Sequence, residues 1–242
     1  MRVLLLGGTG EARSLARSLD ATGVPFVSSL AGRVSNPALP IGEVRVGGFG
    51  GVAGLVDYLH GEGITHVVDA THPFAATMTA HAAEAARLTG VPLLVLRRPG
   101  WAERAGDEWT WVADVAAAAE RVATAATGTV FLTTGRRDLA VFAPDEGHEY
   151  LVRTVDPPSG PTPPRMTLLL DRGPYTLDGE LDLMRRHAVT LLVTKDSGGA
   201  LTVAKLDAAR ALGLPVVVVR RPRLPAGVTA VPDVASVLDQ LG

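Results

Sequence analysis

The feature that most constrains this chain is an internal repeat. Residues 71–99 align without a gap on residues 194–222. The first copy ends Ala85-Ala86-Arg87-Leu88-Thr89-Gly90-Val91-Pro92, then four apolar residues, then Arg97-Arg98-Pro99. The second ends Ala208-Ala209-Arg210-Ala211-Leu212-Gly213-Leu214-Pro215, then four apolar residues, then Arg220-Arg221-Pro222. In both, Gly closes a helix because it tolerates the left-handed C-terminal turn. One Pro opens the next strand and a second Pro breaks the chain after it. The flanks correspond too. Val112-Ala113-Asp114-Val115-Ala116 matches Val231-Pro232-Asp233-Val234-Ala235, each with an Asp placed to cap a helix, and residues 3–10 match residues 130–135.

A unit carried twice predicts two similar halves, divided near Thr127-Gly128 into residues 1–126 and 127–242. Within the first half, apolar runs at residues 2–6, 25–30, 66–70 and 93–96 alternate with helical patterns at 11–19, 52–59 and 77–88. Strands alternating with helices indicate parallel sheets. The fold class expected is therefore α/β, with two Rossmann-like, doubly wound, parallel-sheet domains and a cleft between them. The stretch after Pro99 is long enough to let terminal strands exchange between the halves. Residues 156–164 hold five prolines and read as a stiff surface connection.

Composition removes several function classes. There is no cysteine, which excludes thiolate metal sites, iron–sulfur clusters and thiol nucleophiles. The six His lack metal-ligand spacing, so no metal is expected. Lys and Arg total 23 against 25 Asp and Glu, a balance that argues against nucleic acid or an anionic membrane as partner. No segment is long and apolar enough for a membrane span, and a cytoplasmic monomer is the expectation.

Residues 3–6 run directly into Gly7-Gly8-Thr9-Gly10 and a helix. Glycines let backbone N–H groups approach a pyrophosphate, and a helix N-terminus adds donors and a favourable dipole. The third glycine of G-x-G-x-x-G is replaced by Arg13, and Glu11 must point away from phosphate, where it is available to cap the helix. A NAD-binding unit places an acid near the end of the second strand, on the ribose 2′-hydroxyl. Here that stretch is Val27-Ser28-Ser29-Leu30-Ala31-Gly32-Arg33, with hydroxyls and a cation but no acid. These residues suit a 2′-phosphate, so NADPH is the expected cofactor. Gly8, Thr9 and Gly10 are the candidate pyrophosphate residues, and Ser28, Ser29 and Arg33 the candidates for the 2′-phosphate.

Ligands gather at the carboxyl ends of parallel strands. Asp69, Thr71, His72 and Phe74 fall at such an end, as do Arg136, Arg172, Lys195 and Ser197 in the second half. Lys195 is expected beside a helix N-terminus, with Asp196 or Ser197 as the cap. The cations suggest an anionic small substrate.

In order along nearly the whole chain, Gly7-Gly8-Thr9 with Glu11, Ala31-Gly32-Arg33, Thr71-His72-Pro73-Phe74-Ala75, Arg172-Gly173-Pro174-Tyr175 with Glu180, and Thr194-Lys195-Asp196-Ser197-Gly198-Gly199 resemble the precorrin-6A reductase family of cobalamin biosynthesis. Tyr175 stands where the family often has Phe. The resemblance implies NADPH-dependent reduction of one double bond in a tetrapyrrole, precorrin-6A, giving precorrin-6B. For that reaction, Thr71, His72 and Phe74 are the candidates to shape the nicotinamide–macrocycle contact, and Arg136, Arg172, Lys195 and Ser197 the candidates to take substrate carboxylates. His72, Lys195 or solvent supplies the proton. Two alternatives stay open: reduction of the cobalt-containing substrate, and a dinucleotide-sensing protein without catalysis.

Overall fold

The computed structural model describes residues 1–32 and 38–242. In chain order the strands are β1 (Val3–Leu6), β2 (Phe26–Leu30), β3 (Glu43–Val46), β4 (His66–Asp69), β5 (Leu93–Leu96), β6 (Trp109–Val112), β7 (Thr129–Leu132), β8 (Glu149–Thr154), β9 (Met166–Leu170), β10 (Val189–Lys195), β11 (Val216–Val219) and β12 (Thr229–Val231). The helices are α1 (Gly10–Ala21), α2 (Gly51–Gly61), α3 (Ala76–Thr89), α4 (Val115–Ala123), α5 (Leu177–Arg186), α6 (Ala204–Ala211) and α7 (Val234–Leu241).

The strands form two six-stranded sheets, ordered β12-β5-β4-β1-β2-β3 and β6-β11-β10-β7-β8-β9, with parallel pairing throughout. The expected α/β class and the duplicated doubly wound plan are both present. β1 is buried along its whole length, as a parallel strand covered on both faces must be. Val3 and Leu5 pack with Ala12, Leu15, Ala16 and Leu19 of α1, while Leu4 and Leu6 pack with Leu55 and Leu59 of α2 and Ala82 and Ala85 of α3. In the second sheet Phe131, Leu192 and Val218 meet Met184 of α5 and Leu206 of α6.

The compact units do not follow the linear halves 1–126 and 127–242. One comprises Met1–Pro99 with Pro222–Gly242, the other Gly100–Arg221. The terminal strands have exchanged: β6 pairs with β11, and β12 with β5. The matching flanks that mark the repeat are thus the two exchanged edges. Asp114 and Asp233 cap α4 and α7, accepting from Ala117 N at 2.9 Å and Ser236 N at 2.8 Å. The crossing segment is anchored in the second unit. Trp101 N donates to Asp196 Oδ1 and Trp101 Nε1 to Gly199 O, each at 3.0 Å, and Arg210 Nε donates to Asp107 Oδ1 at 2.9 Å. Gly100 is required there, because a Cβ would lie 2.6 Å from an Asp196 carboxylate oxygen.

The repeat is imperfect at one place. β1 is followed by the full helix α1, but β7 leads into a single 3₁₀ turn, Leu139–Val141. Residues 156–164 contain no helix or strand, as their prolines dictate. No helix among the described residues is long and apolar enough to cross a membrane.

Candidate functional site

In the first sheet the chain moves outward from β1 through β2 to β3, then returns to place β4 on the other side of β1. Such a reversal opens a crevice at the carboxyl ends of the two flanking strands. The loops that begin at Gly7 and at Ala70 lie there, joined through Ala70 N, which donates to Leu6 O at 2.9 Å.

Gly8 adopts φ +114°, a conformation that disfavours any side chain. Thr9 is the N-cap of α1. Its Oγ1 accepts from Ala12 N at 3.1 Å and donates to Ala70 O at 2.7 Å. Its side chain therefore builds the loop, and what it can offer a phosphate is backbone N–H. The expectation that Glu11 caps the helix is corrected. Glu11 is paired with Arg98 at 2.7 Å, which neutralises the carboxylate near the candidate phosphate site.

Asp69 is buried at the end of β4 and accepts from Thr71 N at 3.0 Å, Thr71 Oγ1 at 2.6 Å and Thr79 Oγ1 at 2.6 Å. It orients the Thr71–His72 turn. Phe74 N donates to His72 Nδ1 at 3.3 Å, which needs the Nδ1 lone pair and so puts the proton of a neutral ring on Nε2. The rings of His72 and Phe74 sit 5.9 Å apart. The structure thus brings Thr71, His72 and Phe74 together on one turn.

At the end of β2 the two serines point to opposite faces. Ser28, in register with Leu5, lies on the α1 side; Ser29, in register with Leu6, lies on the α2/α3 side. Ser28 Oγ is buried and has no hydrogen-bond partner among the described residues. Ser29 Oγ accepts from Arg45 Nη1 at 2.9 Å. Sequence reading overlooked Arg45 because β3 is a short, exposed edge strand with no apolar run. Arg45 also donates to Gly47 O and Gly48 O and lies 3.9 Å over the Phe49 ring, so it braces this end of the sheet. Arg33 lies outside the described residues.

The second sheet reverses in the same way between β7 and β10. Lys195, the last residue of β10, pairs with Asp138 at 2.5 Å, and Arg136 pairs with Asp156 at 3.2 Å. These cations come with acids that sequence reading did not assign to them. The helix after β10 starts only at Ala204, so Lys195 is not at a helix N-terminus, and neither Asp196 nor Ser197 is its cap. Asp196 instead holds Trp101 N and Arg221 Nε, and Ser197 N donates to Lys195 O at 2.6 Å.

Arg172 is exposed and forms no ion pair among the described residues. Its turn rests on a buried group. Tyr175 stacks on Arg153 at 3.7 Å, and Arg153 forms a two-pronged bond to Glu180, with both charges almost fully buried. Lys205 is beside them, 4.7 Å over the Trp101 ring, and donates to Thr202 O at 2.8 Å. Burial, and secondly the Arg153 charge, push its ammonium down to about 7, with Glu180 opposing.

A family model described as "Precorrin-6x reductase CbiJ/CobK" matches residues 2–242. The chain belongs to the precorrin-6x reductase family. It is 52% identical to a precorrin-6A reductase of Rhodococcus erythropolis over 242 residues, covering 100% of this chain and 97% of that one. A precorrin-6A reductase of Mycobacterium tuberculosis is 54% identical over 234 residues, covering 96% of this chain and 94% of the relative. A cobalt-precorrin-6A reductase of Priestia megaterium is 30% identical, covering 93% and 92%. A solved structure of a CobK precorrin-6A reductase superposes with a TM-score of 0.93 at 47% identity, covering 100% and 96%. As a member of this reductase family, the chain is an oxidoreductase built on the fold described above.

Proposed function

We propose that this chain reduces one double bond of precorrin-6A to give precorrin-6B, with NADPH as donor. The observation that carries the reading is identity above 50% to precorrin-6A reductases along essentially the whole chain. Relatives named for the cobalt-containing substrate are more distant, at 27–30% identity, which favours the metal-free macrocycle.

The first unit fits a dinucleotide. Gly8, Thr9 and Gly10 offer backbone N–H groups at the start of α1, where a pyrophosphate is favoured. An unpartnered buried hydroxyl at Ser28, with Arg33, suits a 2′-phosphate, whereas Ser29, expected beside them, turns to the opposite face and is held by Arg45. When bound, the nicotinamide supplies a hydride, and the remaining requirement is a proton for the neighbouring carbon. Thr71, His72 and Phe74 shape the surface against which nicotinamide and macrocycle meet. His72 presents its Nε2–H as a hydrogen-bond donor while Phe74 N–H occupies Nδ1; to deliver a proton the ring must first be protonated, which displaces the Phe74 N–H from Nδ1. Lys195 is engaged by Asp138. Together with Arg136, Arg172 and Ser197 it receives substrate carboxylates, and the acids beside Lys195 and Arg136 keep these cations oriented until a carboxylate arrives. The proposed setting is a cytoplasmic monomer.

The deciding experiment is loss of NADPH absorbance on adding precorrin-6A to the purified protein. Tight cofactor binding without turnover would return the reading to dinucleotide sensing. Faster turnover of the cobalt-containing substrate would move it to the other branch.

A further inference from the structure

The residue at the missing third glycine is Arg13, in the first turn of α1. As a departure from the glycine fingerprint it looks like a defect. The structure gives it a different setting. Arg13, Ser28, Gly7, Gly8, Ala12 and Leu30 line one small cavity between the glycine loop and the end of β2. Into this space comes Ser28 Oγ, 1% exposed as a residue and without a partner among the described residues. A buried hydroxyl left unpaired costs about 1–3 kcal/mol, so a ligand oxygen that reaches it is favoured. Arg13 forms no ion pair among the described residues, whereas its neighbour Glu11 is taken by Arg98 at 2.7 Å.

The place is the one where a dinucleotide turns its adenosine ribose toward the end of the second strand. We propose that Arg13 and Ser28 form the subsite for the ribose 2′-phosphate, and that Arg13 sets the preference for NADPH over NADH. The inference rests on the cofactor reading above. A guanidinium matches a phosphate through parallel N–H donors, and the α1 N-terminus adds its dipole to the same charge. Arg45 does not fill this role. It lies on the opposite face of the sheet, with Ser29 and two carbonyls already holding its guanidinium. Replacing the third glycine by a cation thus trades close helix–strand approach for charge recognition.

The test is calorimetric titration of wild type, Arg13→Ala, Arg13→Lys and Ser28→Ala with NADPH, NADH, adenosine 2′,5′-bisphosphate and 5′-AMP. Loss of a charge-assisted contact should weaken NADPH and the bisphosphate roughly 10- to 100-fold in Arg13→Ala and leave NADH and AMP nearly unchanged. Ser28→Ala should show a smaller loss in the same pattern, and Arg13→Lys an intermediate one. Alanine is a good helix former, and melting curves check that the variants are folded. Parallel loss of NADPH and NADH, or no loss of either, overturns the proposal. Wild-type protein that binds NADPH and NADH alike overturns the cofactor reading as well. A wild-type preference for NADPH that survives in Arg13→Ala removes the Arg13 subsite alone.

Discussion

Thr9 Oγ1 donates to the carbonyl of Ala70 at 2.7 Å, which ties the glycine loop after β1 to the turn after β4. The same oxygen accepts from Ala12 N and so starts α1. One hydroxyl thus fixes both walls of the crevice at the strand reversal. Thr9→Val keeps the shape and removes both bonds. The expected outcome is a stability loss of about 1–2 kcal/mol, the usual cost of a lost cap. NADPH and NADH affinity should fall together, because the loop and not the 2′ end is disturbed. Thr9→Ser should restore most of both. Denaturant titration and cofactor binding read the two effects separately.

Arg153 and Glu180 form an ion pair whose side chains are 5% and 2% exposed. Removing one partner of such a pair leaves a buried charge alone, at a cost of about 3–5 kcal/mol. Glu180→Gln should therefore be strongly destabilising. Because Tyr175 lies on Arg153, the Arg172 turn should loosen as well, raising the KM for the tetrapyrrole while leaving NADPH affinity unchanged. A variant with unchanged melting temperature would show that the pair contributes little.

Lys205 carries a folded-state value of about 7 against an ordinary value of 10.5. Between those limits the unfolded chain holds a proton that the folded chain lacks, so stability rises with pH from about 7 to 10.5 and falls as pH drops back through that window. Below about 7 both states are protonated and the penalty for burying the charge is constant. Lys205→Met should flatten the rise and stabilise the protein most at pH 7 and below, by up to roughly 5 kcal/mol if packing is retained. Urea unfolding of both proteins across that range is the measurement. A parallel pair of curves would mean Lys205 stays charged in the fold.

His72→Asn keeps an acceptor for Phe74 N–H and removes the imidazole that could be protonated. If His72 is the proton donor, kcat should fall about 100-fold or more, with NADPH affinity intact. A change of less than a few-fold would assign the proton to solvent or to Lys195.

Much of this was legible from residues alone. The central strands β1, β4 and β5 and the helices α1, α2 and α3 appear within a residue or two of their expected positions, because apolar periodicity and Gly/Pro punctuation are local signals. Asp114 and Asp233 cap their helices as their spacing implied. β3 escaped notice because Glu43-Val44-Arg45-Val46 lies at a sheet edge and needs no continuous apolar run. The pairing of Lys195 with Asp138 was also hidden, because those residues are brought together only by the adjacency of β7 and β10.

The sequence by itself determined that the chain holds two copies of one parallel α/β unit, with the glycine loop in the first. Only the tertiary structure decided which sheet each terminal strand completes. β6 and β12 are both short strands followed by an Asp-capped helix, and β5 and β11 present equivalent edges, so local pattern cannot choose between them. The choice is made by long-range contacts: Trp101 and Asp107 fasten the outgoing segment to Asp196, Gly199 and Arg210, and Arg97 Nη2 donates to Pro222 O at 2.8 Å to hold the returning one. The same distinction applies at the glycine loop. Its nucleotide-binding character is local, but the cavity that joins Arg13 to Ser28 exists only once β1, β2 and α1 are packed together.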